Sequence, residues 1–121
     1  MKNILIIGCG HMGEALLSSW ANLDQYSITV IDKLKYNLIK KKYKNKKIKS
    51  YKNFLSLKKT NNIDFIILAV RPAESQSVLK ELAHVQFKKN ISLVSVIAGK
   101  KINFYKKNLK NIKYFFRVMP N

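Results

Sequence analysis

The apolar positions of this chain fall into two kinds of block. Asn3–Ile7 and Phe65–Val70 are nearly continuous apolar runs, the pattern of strands buried on both faces. Met12, Ala15, Leu16, Trp20 and Leu23 recur at helical spacing, which predicts a helix of about 12 residues directly after the first strand. The same two patterns alternate to the end. Ser27–Ile31 is β-branched and reads as a strand. Leu34, Leu38 and Ile39 predict a second, very basic helix. Lys46–Ser50 reads as a short edge strand, where lysines suit exposure. Phe54–Lys59 reads as a short helix. Asp64–Val70 is a strand stopped by Arg71-Pro72, since proline cannot donate to a ladder. Ala73–Ala83 carries Val78, Leu79 and Leu82 on one helical face. Ile91–Ile97 is a strand ending at Ala98-Gly99, Ile102–Leu109 a polar helix, and Ile112–Val118 a last strand. Strands alternating with helices predict an α/β fold of the Rossmann type: a doubly wound, mainly parallel sheet in a three-layer αβα arrangement. No Pro/Gly/Ser-rich linker divides residues 1–121, which read as one domain, and no solenoid repeat is present.

Charge and composition narrow the function classes. Of 24 Lys and Arg against 6 acids, 22 are Lys, and the formal net charge is +18. Lys, Asn and Ile together supply 48 residues. All three have A/T-rich codons, so genome bias accounts for them at once. A nucleic-acid function accounts only for the lysine and calls for arginine as well. No specific nucleic-acid partner is therefore expected, and Lys40–Lys49 reads as a solvated face. The charge still implies solubility and salt-sensitive attraction to polyanions. No apolar run is long enough to span a bilayer, and no membrane partner is expected. Gly8 and Gly10 interrupt the first run too early for a secretory leader. The single cysteine, Cys9, excludes an internal disulfide and a cysteine-rich zinc site, and a cytoplasmic location follows as the expectation. The acids show neither paired-carboxylate nor metal-ligand spacing, so no metal is expected and no residue is assigned a catalytic role.

The chemistry lies in Gly8-Cys9-Gly10-His11-Met12-Gly13, a G-x-G-x-x-G sequence between a predicted strand and a predicted helix. Asp32 lies 19 residues beyond Gly13, at the end of the next strand. That combination is the dinucleotide fingerprint in its required context. Gly8 permits a tight turn, Gly10 lets a pyrophosphate approach the backbone, and Gly13 lets the helix pack close. The N–H groups of His11 and Met12 point at the phosphates, aided by the helix dipole, and Asp32 accepts hydrogen bonds from the adenosine ribose. Asp32 repels a 2′-phosphate and leans toward NAD. Lys33 and Lys35 follow at once and offer NADP a partner.

Met1–Gly13, with its Gly-Cys-Gly-His-Met-Gly, resembles the start of the pyrroline-5-carboxylate reductase family. Ala69-Val70-Arg71-Pro72 is similar to that family's Ala-Val-Lys-Pro. Val94–Gly99 is similar to its next strand and turn, and Arg117–Asn121 to its Arg-x-Met-Pro-Asn. The resemblance implies NAD(P)H-dependent reduction of 1-pyrroline-5-carboxylate to L-proline, in proline biosynthesis, with NADP the commoner cofactor. It also implies that Ala69, Val70, Arg71, Pro72, Ala98, Gly99 and Asn121 border the dinucleotide. Family members commonly have Asn at the position of His11 and Lys at that of Arg71. They also continue past Met-Pro-Asn into a helical domain that forms the dimer and much of the substrate pocket. The chain therefore reads as the cofactor half, inactive alone, with a separately encoded helical domain as its possible partner. A nucleotide-binding module without turnover is the alternative.

The remaining candidates take structural readings. His11 reads as a backbone donor with its ring in solvent, and His84 as a cation at a helix end. Cys9 reads as a loop filler, although a helix N-terminus nearby can lower its pKa and leave it some reactivity. Phe54, Phe65, Phe87, Phe104, Phe115 and Phe116 are assigned to the core.

Overall fold

The computed structural model describes residues 1–44 and 47–118. The expected strand start at Lys46 and the Met119-Pro120-Asn121 segment, including the cofactor candidate Asn121, lie outside the described residues. Among the described residues six strands form, β1 (Lys2–Ile7), β2 (Tyr26–Ile31), β3 (Ile48–Tyr51), β4 (Phe65–Leu68), β5 (Ser92–Ser95) and β6 (Tyr114–Arg117), with four α-helices, α1 (His11–Trp20), α2 (Tyr36–Lys42), α3 (Ser75–Leu82) and α4 (Ile102–Asn108). They make one sheet in the order β3-β2-β1-β4-β5-β6, and every neighbouring pair is parallel. The winding runs outward from β1 through β2 to β3, then returns to β4 on β1's other side. The reversal opens a crevice at the carboxyl ends of β1 and β4, where this architecture binds ligands.

The continuous apolar runs follow from a sheet covered on both faces. Successive side chains of a strand point to opposite faces. Leu5 and Ile7 accordingly pack in one layer with Leu79 and Leu82 of α3 and Tyr105 of α4. Ile4 and Ile6 pack in the other with Leu17 of α1 and Ile39 of α2. Tyr105 is the largest fully buried side chain. Its hydroxyl meets the buried Ser95 hydroxyl at 2.5 Å, which satisfies both polar groups inside the core.

Several elements differ from the sequence reading. The inner face of α1 is Gly13 and Leu17, with Ala15 exposed. The helix ends at Trp20, and Leu23 lies in the turn beyond it. Leu34 and Leu38 face solvent, because α2 has only seven residues and buries Ile39 alone. Phe54–Lys59 is not a helix. A single 3₁₀ turn spans Phe54–Ser56, capped by the Asn53 side chain accepting from Leu55 N–H at 3.1 Å, and Leu57 leaves it extended. The Ala73–Ala83 segment divides into a 3₁₀ turn at Pro72–Glu74 and then α3. Phe65 and Phe116 are surface-exposed rather than core. They share one sheet face with Tyr114, opposite the face on which Phe115 stacks against Tyr105. Phe54, Phe87, Phe104 and Phe115 are half-buried against the core.

At the opposite end of the sheet from the crevice, Asp64 ties β1 to the β4 entry. Its carboxylate accepts the Asn3 N–H at 2.8 Å and a bond from the Lys88 ammonium. Burial raises its pKa, but the Asn3 N–H and Lys88 outweigh that and hold the carboxyl below its usual range. A depressed folded-state pKa gives stability that is present above the unfolded value, about 3.9, and is lost as pH falls through the folded value. Asp64→Asn is expected to lower stability at neutral pH. It should also flatten the loss of stability below about pH 4. Denaturant melts of both proteins across that range check this, and parallel pH profiles would refute it.

Candidate functional site

The local chain after β1 is shaped by three glycines with three different requirements. Gly8 has φ +91°, a left-handed conformation that favours glycine. A Cβ there would also lie 2.8 Å from Val70 Cγ1 and 2.9 Å from the Ala69 carbonyl. Gly13 sits in the first turn of α1, and a Cβ on it would lie 2.2 Å from the Gly8 carbonyl oxygen. The helix can therefore approach the β1 end only because that atom is missing. Gly10 is different, since a Cβ there meets nothing within 4 Å. It is the N-cap of α1 and offers no side-chain cap. The first helical bond runs from Glu14 N–H to the Gly10 carbonyl, 2.9 Å, so the N–H groups of His11, Met12 and Gly13 precede it and have no helical acceptor. Open space over Gly10 beside unused helix donors is a fitting cradle for an anion.

Asp32 fixes the loop from below. Its Oδ2 accepts the Cys9 N–H at 2.7 Å, and its Oδ1 accepts the N–H groups of Leu34 and Lys35 at 2.9 and 2.8 Å. One carboxylate thus joins the glycine loop to the turn after β2. With two acceptor sites per oxygen, one site on Oδ2 is left for a ligand hydroxyl. Cys9 is buried, and burial, followed by Asp32 and Glu14, pushes its thiol up to about 11. This corrects the expectation of a lowered pKa: removal from water and two neighbouring acids outweigh the helix N-terminus, and the thiol stays protonated and inert near neutral pH.

A cleft of about 490 Å³ opens at these carboxyl ends. Gly8, Gly10, Asp32, Lys33, Ala69, Val70 and Arg71 all line it. His11, Met12, Gly13, Pro72, Ala98 and Gly99 do not, although the first three belong to the loop and helix that bound it. The resemblance implied that Ala98 and Gly99, in the turn after β5, border the dinucleotide, but that turn is outside the cleft lining. That turn is held separately: Ser95 Oγ accepts Ile97 N–H at 3.2 Å, and Arg117 donates to the Lys100 carbonyl at 3.0 Å. Arg71 is bound at the rim to Glu74, 2.6 Å, where both are largely exposed.

Sequence reasoning missed two walls. Lys52, Asn53 and Phe54 enter because β3 runs parallel beside β2, which delivers the loop after β3 to the same edge. Glu74, Ser77, Val78 and Glu81 form the other wall. Their spacing, one helical stripe, was available in the sequence. Four cations (Lys33, Lys35, Lys52, Arg71) and three anions (Asp32, Glu74, Glu81) therefore share the cleft. Among the described residues no His/Cys/Asp/Glu cluster suits a metal.

Comparison with known proteins agrees with this architecture. The family described as NADP oxidoreductase, coenzyme F420-dependent, matches residues 3–99, and the chain belongs to that family. It is 32% identical over 117 residues to a pyrroline-5-carboxylate reductase of Aquifex aeolicus, covering 96% of this chain and 41% of that protein. Among solved structures, a pyrroline-5-carboxylate reductase from Coxiella burnetii superposes with a TM-score of 0.83 at 24% identity, over 99% of this chain and 44% of the other. A prephenate dehydrogenase from A. aeolicus, in complex with hydroxyphenyl propionate and NAD+, gives 0.70 at 20% identity, over 95% and 40%. The chain thus spans about two-fifths of the length of the curated relative it matches. The structural likenesses show the Rossmann fold.

The glycine geometry yields a paired prediction. Gly13→Ala forces a Cβ against backbone, and overpacking of this kind costs about 1–3 kcal/mol. Gly10→Ala should change stability by less than about 0.5 kcal/mol. Urea unfolding of the two variants checks the order, and equal destabilisation would contradict the separation of roles.

Proposed function

We propose that this chain is the dinucleotide-binding part of a pyrroline-5-carboxylate reductase in proline biosynthesis, a reading that carries a cytoplasmic location. The observation that supports it most directly is the open space at Gly10 beside the α1 donors, at the mouth of a cleft that Asp32 also lines. NAD(P)H, when bound, supplies the hydride that reduces the C=N bond. The chain's own residues do the holding. The His11, Met12 and Gly13 N–H groups would receive the pyrophosphate, and the remaining Oδ2 acceptor of Asp32 a ribose hydroxyl. Ala69 and Val70 support the loop from behind. The Ala98-Gly99 turn and Asn121 belong to the nicotinamide end in this reading. Gly10→Val should abolish nucleotide binding while leaving the fold intact, as titration calorimetry and circular dichroism would report. Unchanged affinity would remove the loop from the phosphate site.

Cofactor preference leans to NAD. Asp32, Glu74 and Glu81 place three negative charges in the lining of the cleft, against which a 2′-phosphate must be seated. Lys33, Lys35, Lys52 and Arg71 oppose them, but Arg71 is taken up by Glu74, 2.6 Å away, and Lys35 is also drawn to Glu14, 3.9 Å away. Diffuse lysine attraction is screened by salt. NADP affinity should therefore fall more steeply with salt than NAD affinity, and NAD should bind more tightly at high salt. An NADP preference that persists there would refute the lean.

Hydride transfer requires nicotinamide and substrate to be held within reacting distance, a positioning effect that can supply roughly 7–11 kcal/mol. In this reading the remainder of the reductase's length surrounds the substrate. The 121-residue chain alone should bind nucleotide yet form no measurable proline, and a supplied helical domain should restore activity. Turnover on the order of 1–1,000 per second by the isolated chain would overturn this. Binding without restored turnover would favour a nucleotide-binding module instead.

A further inference from the structure

Between Asp32 and Asp64 the chain carries twelve lysines and no acid, half of its 24 basic residues. The topology gathers the eleven of them that lie among the described residues at one end of the sheet. β3 is the edge strand, pairing only with β2, and α2 packs beside β3. Lys40, Lys41, Lys44, Lys49, Lys52 and Lys58 are exposed there. Leu57 of the same segment packs against the core, but the other three leucines do not turn inward. Leu34, Leu38 and Leu55 are 85%, 65% and 93% exposed. Leu34 and Leu55 follow the ends of β2 and β3, which are in register at Ile31 and Tyr51, so both leave the sheet at the same edge.

We propose that this corner is a peripheral docking surface for an anionic lipid bilayer. Leu38 and Leu55, which lie outside the lining of the cleft, enter the headgroup boundary while the surrounding lysines face lipid phosphates. Isolated apolar tips within a dense cationic field gain from both burial and anionic-lipid attraction. The residue types favour lipid over other polyanions. Nucleic-acid binding gives exposed leucines no place to go, and it uses stacking aromatics. Here Tyr36, Tyr43 and Tyr51 are half-buried, with the Lys40 and Lys42 ammoniums 5.8 and 5.5 Å from the centroids of the first two rings. Protein interfaces are depleted in lysine and enriched in arginine, and residues 33–63 contain no arginine. The other exposed apolar surface, around Tyr114 and Phe116, lies on a sheet face rather than on protruding loops. Docking here requires no membrane crossing, and no described helix is long and apolar enough to cross. It departs from the sequence expectation of no membrane partner, because that expectation weighed spanning segments and not exposed tips.

The test is co-sedimentation of the full chain with phosphatidylcholine vesicles, with and without phosphatidylglycerol. Binding is expected only to the anionic vesicles. Replacing Lys40, Lys41, Lys44 and Lys49 by Gln should weaken it by roughly a thousandfold. Leu38→Ser with Leu55→Ser should weaken it by about tenfold or more. Replacing Lys80, Lys89, Lys106 and Lys110 by Gln removes the same charge elsewhere, and Phe116→Ser removes apolar surface elsewhere; each should cost less than about threefold. The substituted side chains are all exposed and none lines the cleft, so circular dichroism and nucleotide titration should be unchanged. Equal losses from the two lysine sets, no loss from the leucine pair, or tighter binding to a single-stranded RNA oligomer at equal phosphate concentration would each overturn the proposal.

Discussion

The contact between Gly13 and the Gly8 carbonyl is the constraint on which the crevice depends. An added Cβ would lie 2.2 Å from that oxygen, nearer than two non-bonded atoms can come, so α1 is drawn against the β1 end to a distance only glycine permits. The same approach brings Gly8 within reach of Ala69 and Val70 at the end of β4. Three segments distant in sequence are thereby packed backbone to backbone at the point where the sheet reverses its winding. Larger residues would wedge them apart and close the anion cradle from behind. Gly10, one turn away, escapes this packing and leaves open space, so the loop combines rigidity on its inner side with access on its outer side.

Asp32 makes that loop a rigid one. Its three accepted backbone bonds, at 2.7–2.9 Å, are charge-assisted and stronger than neutral ones. They join the glycine loop to the turn that begins α2. The ribose role proposed for the acid and its structural role would use different acceptor sites of one carboxylate. Removing the charge would loosen the glycine loop as well as remove the proposed sugar contact, so the two consequences of losing Asp32 cannot be treated as independent.

The parts of this structure that were legible in the sequence are those in which a single local rule decides. Continuous apolar runs marked β1 and β4 because both sheet faces are covered, and the glycine spacing located the loop because Gly8 and Gly13 each answer a steric demand while Gly10 leaves open space between them. What was not legible depended on neighbours. Leu34 and Leu38 fit a helical period, yet α2 is too short to bury them. Phe65 and Phe116 lie in strands, but on a sheet face where they are left exposed. Tyr105, surrounded by lysine and asparagine in sequence, is the largest fully buried side chain because α4 turns it onto Ser95. The Cys9 thiol follows its burial and the nearby acids rather than its helix terminus. Of the candidate site, the loop and the β4 end were readable, whereas the α3 wall and the loop after β3 needed the strand order to bring them to the same edge.

Charge inverts the usual reading of this molecule. With 24 basic residues against 6 acids, a lysine at any given position carries little information, while an acid carries a good deal. Glu14 meets Lys35 and Lys42, Asp64 meets Lys88, and Glu74 meets Arg71. Asp32 holds backbone N–H groups. Three of the six acids line one cleft. A dinucleotide brings its own negative charge, and a uniformly cationic cleft would hold any polyanion by field alone. Acids within the lining weaken that unspecific attraction and leave binding to depend on where donors and acceptors lie. Selectivity in so basic a chain therefore has to come from its few carboxylates and its backbone, and the structure brings both to the same edge of the sheet.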